Sequence, residues 1–172
     1  MFKPGDKVVH TRHGAGTVIE RRVRMFEGEE REYFCIKMND DRYTLMIPVE
    51  ALDEDEIRPA MTDPELIERV MTSKPQELAD DYRARQAEIK KALKSRNPSK
   101  LAQALRDLSW LERIHKLTNT DTQIRDQVLK ALSRELALLP DYNVNQARAT
   151  IHKIIDSAME THLKDHPEAL AN

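Results

Sequence analysis

The stretch VVHTRHGAGTVIERRV, Val8 to Val23, decides how the first third of this chain folds. Gly14 and Gly16 lie inside it, Gly5 precedes it, and Gly28, the last of only four glycines in the sequence, follows soon after. A phosphate-cradling loop needs successive backbone N–H groups aimed at the anion, usually at a helix N-terminus. Here HGAG runs into TVIERRV, which reads as a strand. No Lys-Ser/Thr pair follows as in a P-loop, and no third glycine opens a helix as in a dinucleotide fingerprint. HGAG is therefore read as a tight β-turn in which Gly14 or Gly16 supplies a positive φ and allows strands to approach closely.

The flanking residues agree. KVVH, GTVIERRV, EYFCIKM and YTLMIP are rich in Val, Ile, Thr, Tyr and Phe, and turn material (TRHGAG, FEGEE, NDDR) separates them. In EYFCIKM, Phe34, Ile36 and Met38 alternate with Tyr33, Cys35 and Lys37, the pattern of a strand with one buried face. Pro48 closes its strand because it has no ladder N–H. The acidic ALDEDE then leads to IRPAM, a closing strand or the exit from the domain. Four or five short strands predict a small bent sheet or SH3-like barrel over residues 1–60.

Between residues 58 and 63 the apolar period changes to that of a helix. Asp63-Pro64 is a cap followed by Pro at the first helical position, opening PELIERVM. A second helix is predicted from about Gln76 to Lys94, with Leu78, Tyr82, Ile89 and Leu93 on or near one face. Asn97-Pro98 opens a third helix, Thr118 or Thr120 a fourth that Pro140 ends, and Asn143-x-x-Gln146 resembles a capping box for a fifth. The expected fold is α+β: a β-domain over residues 1–60, then a bundle of about five helices over 61–172. Trp110, on the central helix, is expected to be buried.

The net charge of −2 over 172 residues hides an asymmetry. Residues 83–116 hold ten Lys/Arg against three acids, a local +7. Such a cluster fits a polyanion partner or merely solvated helix faces. The lone Cys35 excludes an internal disulfide, and no apolar run approaches the ~20 residues of a membrane span. No signal-peptide pattern opens the chain, so a cytoplasmic protein is expected. His10, His13 and Cys35 are too irregularly spaced to predict a metal site, and His162 and His166 lack the Glu of a zincin helix. No nucleophile elbow or paired carboxylate site is evident. No cofactor, metal or enzymatic activity is expected.

Strand and glycine order together bring a family into view. FKPGDKVVHTRHGAGTVIE resembles the start of CarD/CdnL-type bacterial transcription regulators and of the polymerase-interacting module of transcription-repair coupling factors. The resemblance continues through GEEREYFCIKM, TLMIPVE and IRPAM, then YRARQAEIKKAL, ALRDL and RELALL, covering residues 1 to about 160. It implies a Tudor-like domain that docks on the RNA polymerase β subunit and a helical domain that touches promoter DNA near the upstream edge of the bubble, stabilising the open complex. By position, Arg24 matches a polymerase-contacting arginine, with Arg22 on the same strand. Met46 stands where some members carry another arginine, flanked by Ile47 and Pro48. Leu78 stands where well-known members place a minor-groove tryptophan, so it is either an apolar wedge or a cap on the helical core. Asp80 and Asp81 occupy positions that tend to be basic in the family. That leaves Arg83, Lys90 and Lys94, at spacings of seven and four, as the expected DNA contacts, made mainly to phosphates. A monomer is expected. The rival reading is a polymerase-binding module that makes no DNA contact.

Overall fold

The computed structural model describes residues 2–39, 43–51 and 56–170. Strands β1 (Lys7–His10), β2 (Gly14–Phe26), β3 (Glu29–Met38), β4 (Thr44–Pro48) and β5 (Ile57–Pro59) form one antiparallel sheet in the order β4-β3-β2-β1-β5. Helices α1 (Leu66–Thr72), α2 (Tyr82–Ser95), α3 (Pro98–Ile114), α4 (Asn119–Leu136) and α5 (Val144–Asp165) follow. The expected α+β order, sheet before bundle, is the one observed. Most of the NDDR turn and of the ALDEDE stretch lies outside the described residues.

The glycines of HGAG divide the work between them. Gly14 has φ +89°, which turns the chain from β1 into β2. At Gly16 a Cβ would lie 2.8 Å from both Ile36 Cγ2 and the Lys37 carbonyl oxygen, so β2 approaches β3 more closely than a side chain permits. At the far end of β2, Glu27 (φ 53°) and Gly28 (φ 85°) form a two-residue loop between the paired residues Phe26 and Glu29. Positive φ at both loop positions matches the twist of the two strands and keeps the long hairpin regular. A register shift between Val18 and Glu20 bends β2. One face of the sheet buries Val8, Val18, Phe34, Ile36, Met38 and Ile57, with Leu45 and Ile47 packed against them.

The helical core gathers Ile67, Met71, Ile89, Leu101, Leu105, Leu108, Leu132, Ile151 and Met159. Trp110 is buried in it, as expected. Caps at Asn97, Thr118 and Asn143 open α3, α4 and α5, the last as a full capping box. Two helix starts differ from the sequence reading. The Asp63 carboxylate accepts from the N–H of Glu65, forming a turn two residues ahead, so α1 begins only at Leu66. Helix α2 begins at Tyr82 rather than near Gln76, because Asp81 is its cap and accepts from Ala84 N–H at 2.9 Å. Tyr82 is consequently exposed, not part of the core stripe.

Sheet and bundle meet at a tight seam. Val9, Ala15, Ala60 and Leu138 form a small apolar cluster there. Beside it, Arg58 of β5 donates from both terminal nitrogens to the two oxygens of Glu135 on α4, each at 2.8 Å. The same carboxylate accepts from Met61 N–H at 2.7 Å. Arg96 Nε donates to the Thr11 carbonyl, and Asn39 Nδ2 to that of Arg134.

Candidate functional site

Two surfaces hold the residues singled out from the sequence. The first is the outer half of the β2–β3–β4 ribbon. Cross-strand register puts Glu20, Cys35 and Met46 in one row, Arg22, Tyr33 and Pro48 in the next, and Arg24 with Arg31 in the third. Paired residues share a face, so Arg22, Arg24, Met46 and Pro48 lie together on the face opposite the core. Ile47 belongs to the other face: it pairs with Phe34 and packs in the sheet core, so its side chain is withdrawn from that surface.

The charges on this ribbon are mostly matched within it. Arg22 pairs with Glu20, Arg21 with Glu32 at 3.5 Å while lying over the Phe34 ring, and Arg31 with Glu29 at 3.6 Å while lying over Phe26. Arg24 is the exception: among the described residues its side chain has no hydrogen bond or ion pair. It also stands directly opposite Arg31. Like charges facing across a ladder are destabilising, so the fold gains nothing from an arginine here. Exposed Val23, Met25 and Phe26 flank it, and β4 is an edge strand of the sheet. Cys35 is buried beneath this face, and burial, followed by the Glu20 charge, pushes its thiol pKa up, so it is not a reactive thiolate.

The second surface is α2. Arg83, Lys90 and Lys94 fall within about 40° of one another at 100° per residue and are all exposed. Arg83 packs over the ring of Tyr82 and donates to its hydroxyl. Leu78 is not on this helix. It lies in the non-helical segment between α1 and α2, half-buried against the helical core beside a cavity of about 540 Å³ that Trp110 also lines. That segment is tied down on both sides of Leu78. Gln76 N–H donates to Asp107 at 2.9 Å, and Arg85 donates to the Ala79 carbonyl at 2.7 Å. The core reading of Leu78 is the one its packing supports.

Buried pairing also corrects the charge count. Of the ten cations in residues 83–116, Arg85 is buried against Asp121 at 2.7 Å and Arg106 against Asp107 at 2.7 Å. Arg96 is half-buried at the seam. Burial by itself pushes the Asp121 carboxyl up, but hydrogen bonds from Arg85, Thr118 and Gln86 outweigh it and hold the pKa below the usual 3.8. These three arginines build the fold and are not available to a phosphate backbone. The helical motifs YRARQAEIKKAL, ALRDL and RELALL contain Arg85, the Arg106–Asp107 pair and Glu135, so much of their specificity encodes buried ion pairs.

Among the described residues, no three His, Cys, Asp or Glu side chains gather as metal ligands, and no helix is long and apolar enough to cross a membrane. His162 is buried, with Nε2 2.9 Å from the Met71 carbonyl and its ring edge-on to Trp110. A family model for the CarD-like/TRCF RID domain matches residues 2–61, and one for the CarD C-terminal domain matches residues 67–152. A Bacillus subtilis (strain 168) protein named "Putative transcription factor YdeB" is 24% identical over 152 residues, spanning 87% of this chain and 99% of that protein.

Proposed function

The chain belongs to the CarD-like family of transcription regulators, which are not enzymes, and on that premise we propose that it binds the RNA polymerase β subunit through its sheet and promoter DNA through α2. The division of labour follows residues 1–60 and 61–172. The carrying observation is Arg24: exposed, unpaired among the described residues, set opposite another arginine, and close to an open strand edge. A strand of the β subunit adds to that edge by main-chain pairing, and a carboxylate beside it supplies the missing partner of Arg24. Met46 and Pro48 contribute apolar contact on the same face, and Arg22 lies beside them.

On the DNA side, Arg83, Lys90 and Lys94 contact phosphates near the upstream edge of the bubble and lengthen the life of the open complex. Tyr82 offers an exposed ring to an unstacked base, a role the half-buried Leu78 is poorly placed to fill. The protein acts in the cytoplasm, as a monomer, where polymerase works. A second reading, polymerase binding without DNA contact, draws on the withdrawal of Leu78 into the core.

The test is a binding titration of the full chain against core polymerase, with Arg24→Glu alongside. Inverting a charge that faces a desolvated carboxylate is expected to cost about 2–5 kcal/mol, at least ~30-fold in affinity. Equal affinity of the variant removes Arg24 from the contact and with it the observation on which the reading rests.

A further inference from the structure

The cavity of about 540 Å³ beside Leu78 opens between the segment that joins α1 to α2, the C-terminal half of α3 and the residues that follow α5. Leu78, Trp110, Leu111 and Ile114 supply its apolar walls. Trp110 is 9% exposed, and its indole N–H meets no acceptor among the described residues. A buried indole usually finds a partner for that donor, so the cavity suits a ligand that brings an acceptor as well as apolar surface.

The segment along one wall has no regular secondary structure, yet it is anchored at both ends. Asp107 holds the Gln76 N–H, and Arg85 holds the carbonyls of Ala79 and Asp80. Between these anchors, the N–H groups of Glu77, Leu78 and Ala79 and the carbonyls of Gln76, Glu77 and Leu78 make no hydrogen bond among the described residues. A held backbone with free donors and acceptors is a template for main-chain pairing, and its ordering cost is already met. Charge narrows the partner further. Glu77, Asp80 and Glu168 stand at the mouth, all exposed, and the first two carboxylates have no ion pair among the described residues. Lys74 is the one Lys or Arg in the lining. The sign is opposite to that of Arg83, Lys90 and Lys94 on α2, so this mouth repels phosphates and attracts cations.

We propose that this cavity docks a short unfolded segment of a partner protein in which apolar residues alternate with Lys or Arg. The main chain of that segment pairs with Glu77, Leu78 and Ala79, so successive side chains point to opposite sides. An apolar side chain enters between Leu78 and Trp110, and a peptide carbonyl accepts from the indole N–H. The basic side chains meet Glu77, Asp80 and Glu168 at the mouth. This contact uses neither the β2–β3–β4 ribbon nor the basic face of α2, so it stands independently of the polymerase and DNA readings.

The test selects a library of short displayed peptides on the full chain, with counter-selection against the double variant Glu77→Lys, Asp80→Lys. Both positions are exposed and their side chains unpaired among the described residues, so that variant should keep the parent's Tm within about 3 °C. Surviving peptides are expected to alternate apolar residues with Lys or Arg. Synthesised and titrated, they should shift the emission of Trp110, the only tryptophan in the chain, saturably and with one site per chain. The double variant should bind them at least roughly tenfold more weakly. Glu88→Lys with Glu160→Lys, an equal change of charge at exposed positions outside the cavity, should bind them as the parent does. The proposal is overturned if no peptide survives counter-selection, if the survivors are not basic, or if they leave Trp110 emission unchanged. It is overturned equally if a short DNA duplex, or a rise in protein concentration alone, produces the same shift, which would assign the cavity to DNA or to a second copy of the chain.

Discussion

Replacing Glu135 by Gln probes the joint between sheet and bundle most severely. Glu135 is 2% exposed, and its carboxylate takes both terminal nitrogens of Arg58 and the N–H of Met61. Gln keeps the shape but removes the charge and turns an NH₂ group toward a guanidinium that can only donate. Breaking a fully buried pair by removing one partner costs about 3–5 kcal/mol. The Arg58 side chain is 25% exposed and recovers some hydration, so the expected cost is about 2–4 kcal/mol. For a chain of this size that corresponds to a fall in Tm of roughly 5–15 °C, readable by circular dichroism or urea titration. A double variant, Arg58→Met with Glu135→Leu, removes both charges and should recover most of the loss, because the pair itself contributes little net stability over apolar packing. A Glu135→Gln protein within about 0.5 kcal/mol of the parent would refute the claim that this ion pair clamps the seam.

Gly16→Ala should destabilise by about 1–3 kcal/mol, since its Cβ meets the Lys37 backbone at 2.8 Å and only a shift of β2 from β3 relieves it; an unchanged urea midpoint would contradict the close approach. Asp121 titrates lower in the fold than in the unfolded chain, so its contribution is complete above pH ~4 and is lost as pH falls through the folded-state pKa. Asp121→Asn should accordingly flatten the dependence of stability on pH below 4 by up to about one proton, and an unaltered slope would show that the carboxylate is not held by Arg85 and Thr118. Leu78→Ala should lower stability by about 2 kcal/mol, the low end for a core leucine because it is only half-buried. Tyr82→Ala should leave stability within about 0.5 kcal/mol while weakening the open complex by about 1–3 kcal/mol. The reverse pattern would return the base-contacting role to Leu78.

Much of the fold was legible because the signals were local. Glycine at a turn, Asn before Pro, and Asn143-x-x-Gln146 act within three or four residues, and each settles a boundary without knowledge of the rest of the chain. The start of α2 was misread for a related reason. Leu78 sits at a helical spacing from Tyr82, but hydrogen bonds to Gln76 and Ala79 hold that segment out of the helix. The strand register was not legible either, and it is register that gathers Arg22, Arg24, Met46 and Pro48 on one face and turns Ile47 away. Arg85 and Arg106 looked like surface cations until their partners, Asp121 thirty-six residues away and Asp107 next door, were seen buried with them. A residue's charge is written in the sequence, but whether water or a carboxylate meets it is decided by the packing.

The central claim is that polymerase is held by the sheet while α2 grips promoter phosphates. Its most direct test is the lifetime of open promoter complexes across a salt series, comparing the parent with the Arg83→Ala, Lys90→Ala, Lys94→Ala triple variant. Each lost phosphate contact lowers the slope of log affinity against log salt by ~0.9. The account predicts a shorter lifetime for the variant, a salt dependence flatter by about two to three, and unchanged affinity for core polymerase. Parent-like lifetime and slope, with polymerase binding intact, would contradict the DNA contact and leave a module that binds polymerase alone.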